Sequence, residues 1–317
     1  CYSKNTMCSA ANNRSPYPTC NRLLSDRSLV ILMWIIGLGA LCGNLFVLIW
    51  RQFNSQKNKV QDLLLSNLAV SDSLMGIYMI IITVADITFG GMFPMQSETW
   101  RSSNLCKIAG ALSIISSEAS VFFITLISID RCICMVFPYS DKKMGRYSTM
   151  VTIIVTWMFA FSLGVIPSVL SGRNFKFYDN SHVCIGLPLA LTKVYQTNFT
   201  VDSIDAGEFV YNKTYFTTEP NGLANGIFFS VAVFLGLNCI CYLVIAFCYI
   251  AIVRAIKESS RQAGRTRELS EQIKLTTKVS AIVATDFLTW FPIIVLGILV
   301  QARVLTLPPS VYAWSVA

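Results

Sequence analysis

The chain has 317 residues, of which 54% are hydrophobic and 13% charged, about half the charge that a water-facing globular surface usually carries. That deficit excludes an ordinary soluble domain and points to one polytopic membrane unit. The net charge of +8 sits in short runs of Lys and Arg between apolar segments, so it marks membrane topology rather than a nucleic-acid surface.

In chain order, residues 1–27 are polar and carry Cys1, Cys8, Cys20 and the sequon Asn13-Arg14-Ser15, which fits an exported, oxidising setting. Three cysteines are an odd number, so a partner outside the stretch is expected, and Cys1 does not read as a natural start. Roughly 20 apolar residues at about 1.5 Å each cross a bilayer, and the sequence offers this length repeatedly. The first span, about 29–50, contains Gly43-Asn44, and the second, about 60–85, carries Asp72. The third, Ser113 to Tyr139, is interrupted by Glu118 and closed by Asp130-Arg131 and Pro138. A fourth, about 150–170, holds Trp157 and Pro167. A polar connection over 171–222 then contains Cys184 and sequons at Asn198 and Asn212. The fifth span, about 223–253, ends in a basic loop over 254–278, and the sixth, about 279–300, carries Asp286 and Trp290-Phe291-Pro292. Pro308-Pro309 open a seventh apolar segment, cut short at Ala317. The fold expected is an all-α membrane protein, a seven-transmembrane helix bundle over 28–317 with its last helix truncated.

Two features orient the bundle. Basic loops at Arg51/Lys57/Lys59, Lys142/Lys143/Arg146 and 254–278 belong in the cytoplasm by the positive-inside rule. They alternate with sequon-bearing segments, which glycosylation chemistry places outside. Cys106, at the outer end of the third span, and Cys184, in the outer connection, can pair and tie that connection to the bundle, a cross-link that loop-closure reasoning values at about 3–5 kcal/mol.

Ionisable groups within hydrocarbon are costly and by default functional. Asn44, Asp72 and Ser120 can converge at mid-depth from three helices. Such an oxygen-rich set suits a hard cation such as sodium; the alternative is a polar network with water and a protonated Asp72. Asp130-Arg131 lies where the third span ends, the place of an ordinary interfacial pair. Together with Asn44, Asp72, Trp157 and the Cys106/Cys184 pair, it resembles the signature of rhodopsin-like (class A) G-protein-coupled receptors, with Cys132 in place of the tyrosine of the Asp-Arg-Tyr motif. The runs SSEASVFFITLISIDRCICMVFP, FLGLNCICYLVIAFCY and TDFLTWFP are further similar to the leucine-rich-repeat subfamily, closest to the relaxin-receptor branch and its invertebrate relatives.

That resemblance implies a plasma-membrane hormone receptor, amino terminus outside, in which residues 1–27 end an extracellular cysteine-bearing hinge below a missing leucine-rich ectodomain. Its partners would be a peptide or protein ligand, the lipid bilayer and a heterotrimeric G protein, with no nucleic acid and no cofactor beyond a sodium ion. Arg131, held by Asp130 at rest, would contact the G protein on activation; Tyr249 would support the active arrangement. Pro138 and Tyr139 would dock on the G protein. Trp290 and Pro292 would hinge the sixth span, and Asp286 would restrain the inactive state. Two departures stand out. Gln272 occupies a place where many such receptors carry an acid that clamps Arg131, which predicts ligand-independent signalling. The outer connection is also long for this branch. Ser113 stands where amine receptors carry their aspartate, which argues against a small amine ligand.

An enzyme is not expected: the single histidine, His182, lies in the outer connection, and no nucleophile, metal or phosphate-loop motif accompanies it. The alternative function is a polytopic ion or solute transporter using the buried acids, although no inverted repeat is visible.

Overall fold

The computed structural model describes residues 23–24, 27–53, 59–90, 93–137, 144–169, 177–178, 183–185, four strands between 192 and 223, 227–261 and 267–301. Among these residues, six helical spans are long and apolar enough to cross a membrane. Helices α1 (Arg27–Phe53), α2 (Lys59–Thr88), α4 (Asn104–Val136) and α5 (Arg146–Val169) supply the first four, with the short α3 (Phe93–Ser102) between α2 and α4. The fifth is composite: one turn of α-helix, α6 (Ile227–Ser230), then a π-helical stretch (Val231–Leu237), then α7 (Asn238–Arg261). Helix α8 (Arg267–Gln301) is the sixth. The seventh apolar segment lies outside the described residues.

Helix α4 is the axis of the bundle. It packs against α2, α5, α7 and α8 and buries side chains along most of its length, from Cys106 to Met135. Its run of Gly110, Ser113, Ser116, Ser117, Ala119 and Ser120 lets neighbouring helices approach closely, as small residues do in membrane interfaces. The outer helices behave oppositely. Ile35 on α1, Ile154 and Met158 on α5, and Leu243 and Phe247 on α7 are each more than 60% exposed. Apolar stripes of that extent are rare on soluble monomers and normal against lipid.

Several boundaries differ from the sequence reading. Helix α4 begins at Asn104, nine residues before Ser113, where the Ser103 hydroxyl accepts the Cys106 N–H as an N-cap. The stretch over 254–278, read as a basic loop, is largely helical: α7 runs to Arg261 and α8 starts at Arg267. Charge marks where hydrocarbon ends, whereas Arg, Glu, Gln and Lys are good helix formers in water. The outer connection contains two antiparallel strand pairs, β1 (Thr192–Gln196) with β4 (Phe216–Leu223) and β2 (Thr200–Asp205) with β3 (Glu208–Asn212). Its β-branched and aromatic residues, Val201, Ile204, Phe209 and Tyr211 among them, favour this pairing.

The fifth span contains no proline, yet a π-helical stretch interrupts it. The Asn238 side chain donates from Nδ2 to the Phe234 carbonyl at 3.3 Å, and a side chain inserted into the backbone ladder is a recognised cause of such irregularity.

Candidate functional site

The candidate residues group around α4, at its two ends and its middle. At the end that carries the disulfide, Cys106 and Cys184 are bonded, with Cα atoms 5.4 Å apart. The bond draws the outer connection into the bundle, where the Tyr78 hydroxyl donates to the Val183 carbonyl at 2.8 Å. Leu23 and Leu24, just before α1, are buried in the same cluster, and the Leu24 N–H donates to Asp86 Oδ1 at 2.8 Å.

The same connection fills the bundle from this end. Phe177 and Tyr178 are buried against Ile114 and Phe234. Phe177 meets Tyr178 and Phe229 edge-on, at centroid distances of 5.0 and 5.5 Å. The Tyr178 hydroxyl donates to the Gly164 carbonyl at 2.6 Å, and burial pushes its pKa up from the ordinary phenol value. Gly110 makes the room, and Gly164 lets α5 close on α4. A Cβ on Gly110 would collide with the Tyr178 ring and the Cys184 carbonyl oxygen, and one on Gly164 would meet Ile115 Cγ1 at 2.5 Å and the Ala111 carbonyl at 2.9 Å. Sequence reasoning missed Phe177 and Tyr178; two adjacent aromatics in an otherwise polar loop were the available signal.

At mid-depth the Ser120 hydroxyl donates to Asp72 Oδ1 at 3.1 Å, so two members of the predicted oxygen set meet. The third turns away: Asn44 donates from Nδ2 to Ala40 O of its own helix at 2.9 Å. Trp157 Nε1 donates to Asn67 Oδ1 at 2.9 Å, fastening α5 to α2. Glu118 is fully buried, and its Oε1 accepts from Asn238 Nδ2 at 3.3 Å. Glu118 Oε2 and Asn238 Oδ1 have no hydrogen-bond partner among the described residues. Asn238 was not singled out from sequence; a lone amide in an apolar span was its signal.

Trp290 on α8 stacks on Phe234 of the π-helical stretch, ring centroids 6.5 Å apart, two residues before the in-helix Pro292. At the opposite end of α4, Arg131 is held by its sequence neighbour: Nε and Nη2 both donate to Asp130 Oδ2, the former at 3.1 Å. Both side chains are about 95% buried. Tyr249, half-buried on α7, points its hydroxyl toward Ser128 and Ser280, near Arg131, but reaches hydrogen-bond geometry with neither serine. The Cys132 and Cys248 thiols, on α4 and α7, lie near each other. Pro138, Tyr139, Asn13 and Asn198 lie outside the described residues, as do the side chains of Asn212, Gln272 and Asp286.

Comparison with known sequences gives this arrangement a context. Residues 43–207 match the profile of the 7 transmembrane receptor (rhodopsin family). The chain is 32% identical over 298 residues to G-protein coupled receptor GRL101 of Lymnaea stagnalis, covering 94% of this chain and 24% of that protein. It is 28% identical to human relaxin receptor 2 over 93% of this chain and 35% of the relative, and 27% identical to human relaxin receptor 1 over 90% and 34%. The chain therefore spans about a quarter to a third of the length of these relatives.

Proposed function

The chain belongs to the rhodopsin family of seven-transmembrane receptors, and we propose that it relays an extracellular signal from a peptide or protein hormone to a heterotrimeric G protein at the plasma membrane. In this reading the disulfide end faces outside and the Asp130–Arg131 end faces the cytoplasm. The buried Asp130–Arg131 pair carries the proposal. A cation of that burial has left water at considerable cost, and the carboxylate that meets it belongs to its sequence neighbour. Release of Arg131 would expose a guanidinium at the mouth of the bundle, where its N–H fork suits carbonyl or carboxylate groups of a docking peptide. Tyr249, with its hydroxyl close to both α4 and α8, is placed to hold the alternative packing once α8 moves about Pro292. Such switches act by biasing two helix arrangements through a few polar contacts.

The similarity to relaxin receptors supports recognition of the hormone by an ectodomain rather than within the bundle. Phe177 and Tyr178 pack against Ile114 and Phe234 at the disulfide end, which leaves less room there for a small ligand. A transporter is less well supported: Asp72, Glu118 and Asp130 each meet a different partner and do not form a single path.

The test is nucleotide exchange on purified heterotrimers facing the reconstituted chain in lipid nanodiscs. Because Gln272 supplies no charge to restrain Arg131, exchange above that of empty discs is expected without ligand; equal rates across a panel of heterotrimers overturn the proposal.

Asp72 and Ser120 fit a sodium ion as two of its oxygen ligands, and would hold the resting packing if it is bound. Sodium chloride is then expected to raise the thermal midpoint of the purified chain relative to choline chloride, by binding linkage. Asp72→Asn should remove the difference, and a wild-type midpoint indifferent to the salt would discard the ion.

A further inference from the structure

Inside the bundle, one hydrogen-bonded contact is only half made. Glu118 of α4 and Asn238, the first residue of α7, are both fully buried. Asn238 Nδ2 donates to Glu118 Oε1 and to the Phe234 carbonyl, each at 3.3 Å, so both hydrogens of the amide are used. The Phe234 contact also fixes which way the amide points, because exchanging its oxygen and nitrogen would set two acceptors face to face. Glu118 Oε2 and Asn238 Oδ1, the second atoms of the same two planar groups, have no hydrogen-bond partner among the described residues. Unpaired acceptors at this depth cost stability, and two of them in one contact call for a common cause.

An ionised Glu118 would deepen the deficit. A carboxylate is acceptor-only, and an isolated charge taken out of water tends to neutralise instead. Lys107 and Arg131, the basic residues of α4, lie eleven and thirteen residues away, about three turns or more, and Arg131 already meets Asp130. The helices packed on α4 bring no cation to this level among the described residues. Asp72 of α2 meets Ser120, two residues on and therefore on a different face of α4. The one charged residue of α5 is Arg146, at its start. On α7 the thiol of Cys241 lies beside Glu118, and charged residues begin only at Arg254. Within the apolar part of α8 the charged residue is Asp286, whose side chain lies outside the described residues.

A proton on Oε2 resolves both defects at once. A carboxylic acid and a primary amide each hold a donor and an acceptor side by side. The acid O–H can donate to the amide oxygen while the amide N–H donates to the acid carbonyl. The contact from Nδ2 to Oε1 is one half of that ring, and the two unpaired oxygens are the places of the other half. We propose that Glu118 is a neutral carboxylic acid that closes a ring of two hydrogen bonds with Asn238. The ring is a positioning pair: it holds the π-helical stretch, with Phe234 and its stack on Trp290, against α4. A water donating to both oxygens would satisfy them equally but would leave a negative charge with no cation beside it. The effect of the ring on signalling rests on the receptor reading above; its existence does not.

Infrared difference spectroscopy on the whole chain in nanodiscs tests the ring. At neutral pH, wild type minus Glu118→Gln is expected to contain the C=O stretch of a protonated carboxyl. In an Asn238→Leu background the same band should move to higher frequency, because both hydrogen bonds are gone. A difference that contains only carboxylate bands, as an ionised Glu118 bridged by water would give, overturns the proposal. A band that Asn238→Leu leaves in place overturns it too. Thermal midpoints supply a second reading that needs no band assignment. Glutamine keeps a donor where Oε2–H stands and rebuilds the ring as an amide–amide pair, so Glu118→Gln should match wild type. A clear rise would mean that a buried charge had been removed, and a clear fall that a charge had been in use; either result overturns the neutral acid. Nucleotide exchange on the same discs reads the positioning role. Glu118→Gln should stay near wild type and Asn238→Leu should rise several-fold, whereas equal rates in the two variants remove that role. If wild type shows no exchange at all, the receptor reading fails while the infrared result still decides the ring.

Discussion

Asp130→Asn is expected to raise ligand-independent nucleotide exchange several-fold, while Arg131→Ala reduces it to the level of empty discs, both at unchanged surface expression. The two residues form one buried pair, yet their removal should act in opposite directions. Deleting one partner of a buried pair leaves the other uncompensated, which costs on the order of 3–5 kcal/mol. For Arg131 that cost has an escape. Its long stem can carry the guanidinium toward water, in the direction a docking peptide would approach. Destabilising the resting position by even ~1.4 kcal/mol raises the alternative about tenfold relative to it, and Gln272 offers no charge on the sixth span to resist the shift. Asp130, freed by Arg131→Ala, gains no comparable contact, and the group that would meet the G protein is gone. A rise in both variants, or normal exchange in Arg131→Ala, would show that the pair is a structural clamp and not a switch. Arg131→Lys separates charge from geometry: it keeps the cation but lacks the planar fork, so partial exchange is the expected result.

The physics of single residues explains which parts of this arrangement were legible in the sequence. Intramembrane acids are costly wherever the fold places them, so Asp72, Glu118 and Asp286 stood out without knowledge of their partners. The partners were harder. Asn238 looks like one polar residue in an apolar helix, and its role depends on a π-helical stretch that turns it toward Glu118. Asn44 shows the converse error. Its position at mid-depth was correct in principle, but an amide one turn above a helix carbonyl satisfies itself locally, and it does so on Ala40. The spans followed from hydropathy because lipid imposes it, whereas helix ends beyond the hydrocarbon, at Asn104, Arg261 and Arg267, obey capping and propensity instead. Phe177 and Tyr178 were illegible for a different reason. Their burial is set by a disulfide six residues away and by space on α4 and α5, neither of which is local to the loop.

That space gives the sharpest steric expectation. Gly110→Ala should lower the thermal midpoint of the purified chain, whereas Gly39→Ala should leave it unchanged or raise it. Both glycines are helical and both changes add one methyl group. In an unobstructed helix, alanine is favoured over glycine by about 0.5–1 kcal/mol, and nothing lies within 4 Å of a Cβ at Gly39. At Gly110 the new carbon would fall on the Tyr178 ring and the Cys184 carbonyl oxygen. The ring cannot retreat without breaking its hydrogen bond to Gly164, and the carbonyl is tethered by the bond to Cys106. Overpacking of this kind costs about 1–3 kcal/mol, enough to reverse the sign of the propensity term. The Gly110→Ala/Tyr178→Ala double variant should recover part of the loss, since the excess volume is removed, while Tyr178→Ala alone should be destabilising through the cavity it leaves. Two added methyl groups on different helices would thus behave oppositely, and midpoints that fall equally for Gly110→Ala and Gly39→Ala would mean that Tyr178 does not sit against α4. If the outer connection does seal the bundle, Gly110→Ala is also the variant in which that end should become accessible to a small hydrophobic fluorophore, because the ring that fills it has been displaced rather than deleted.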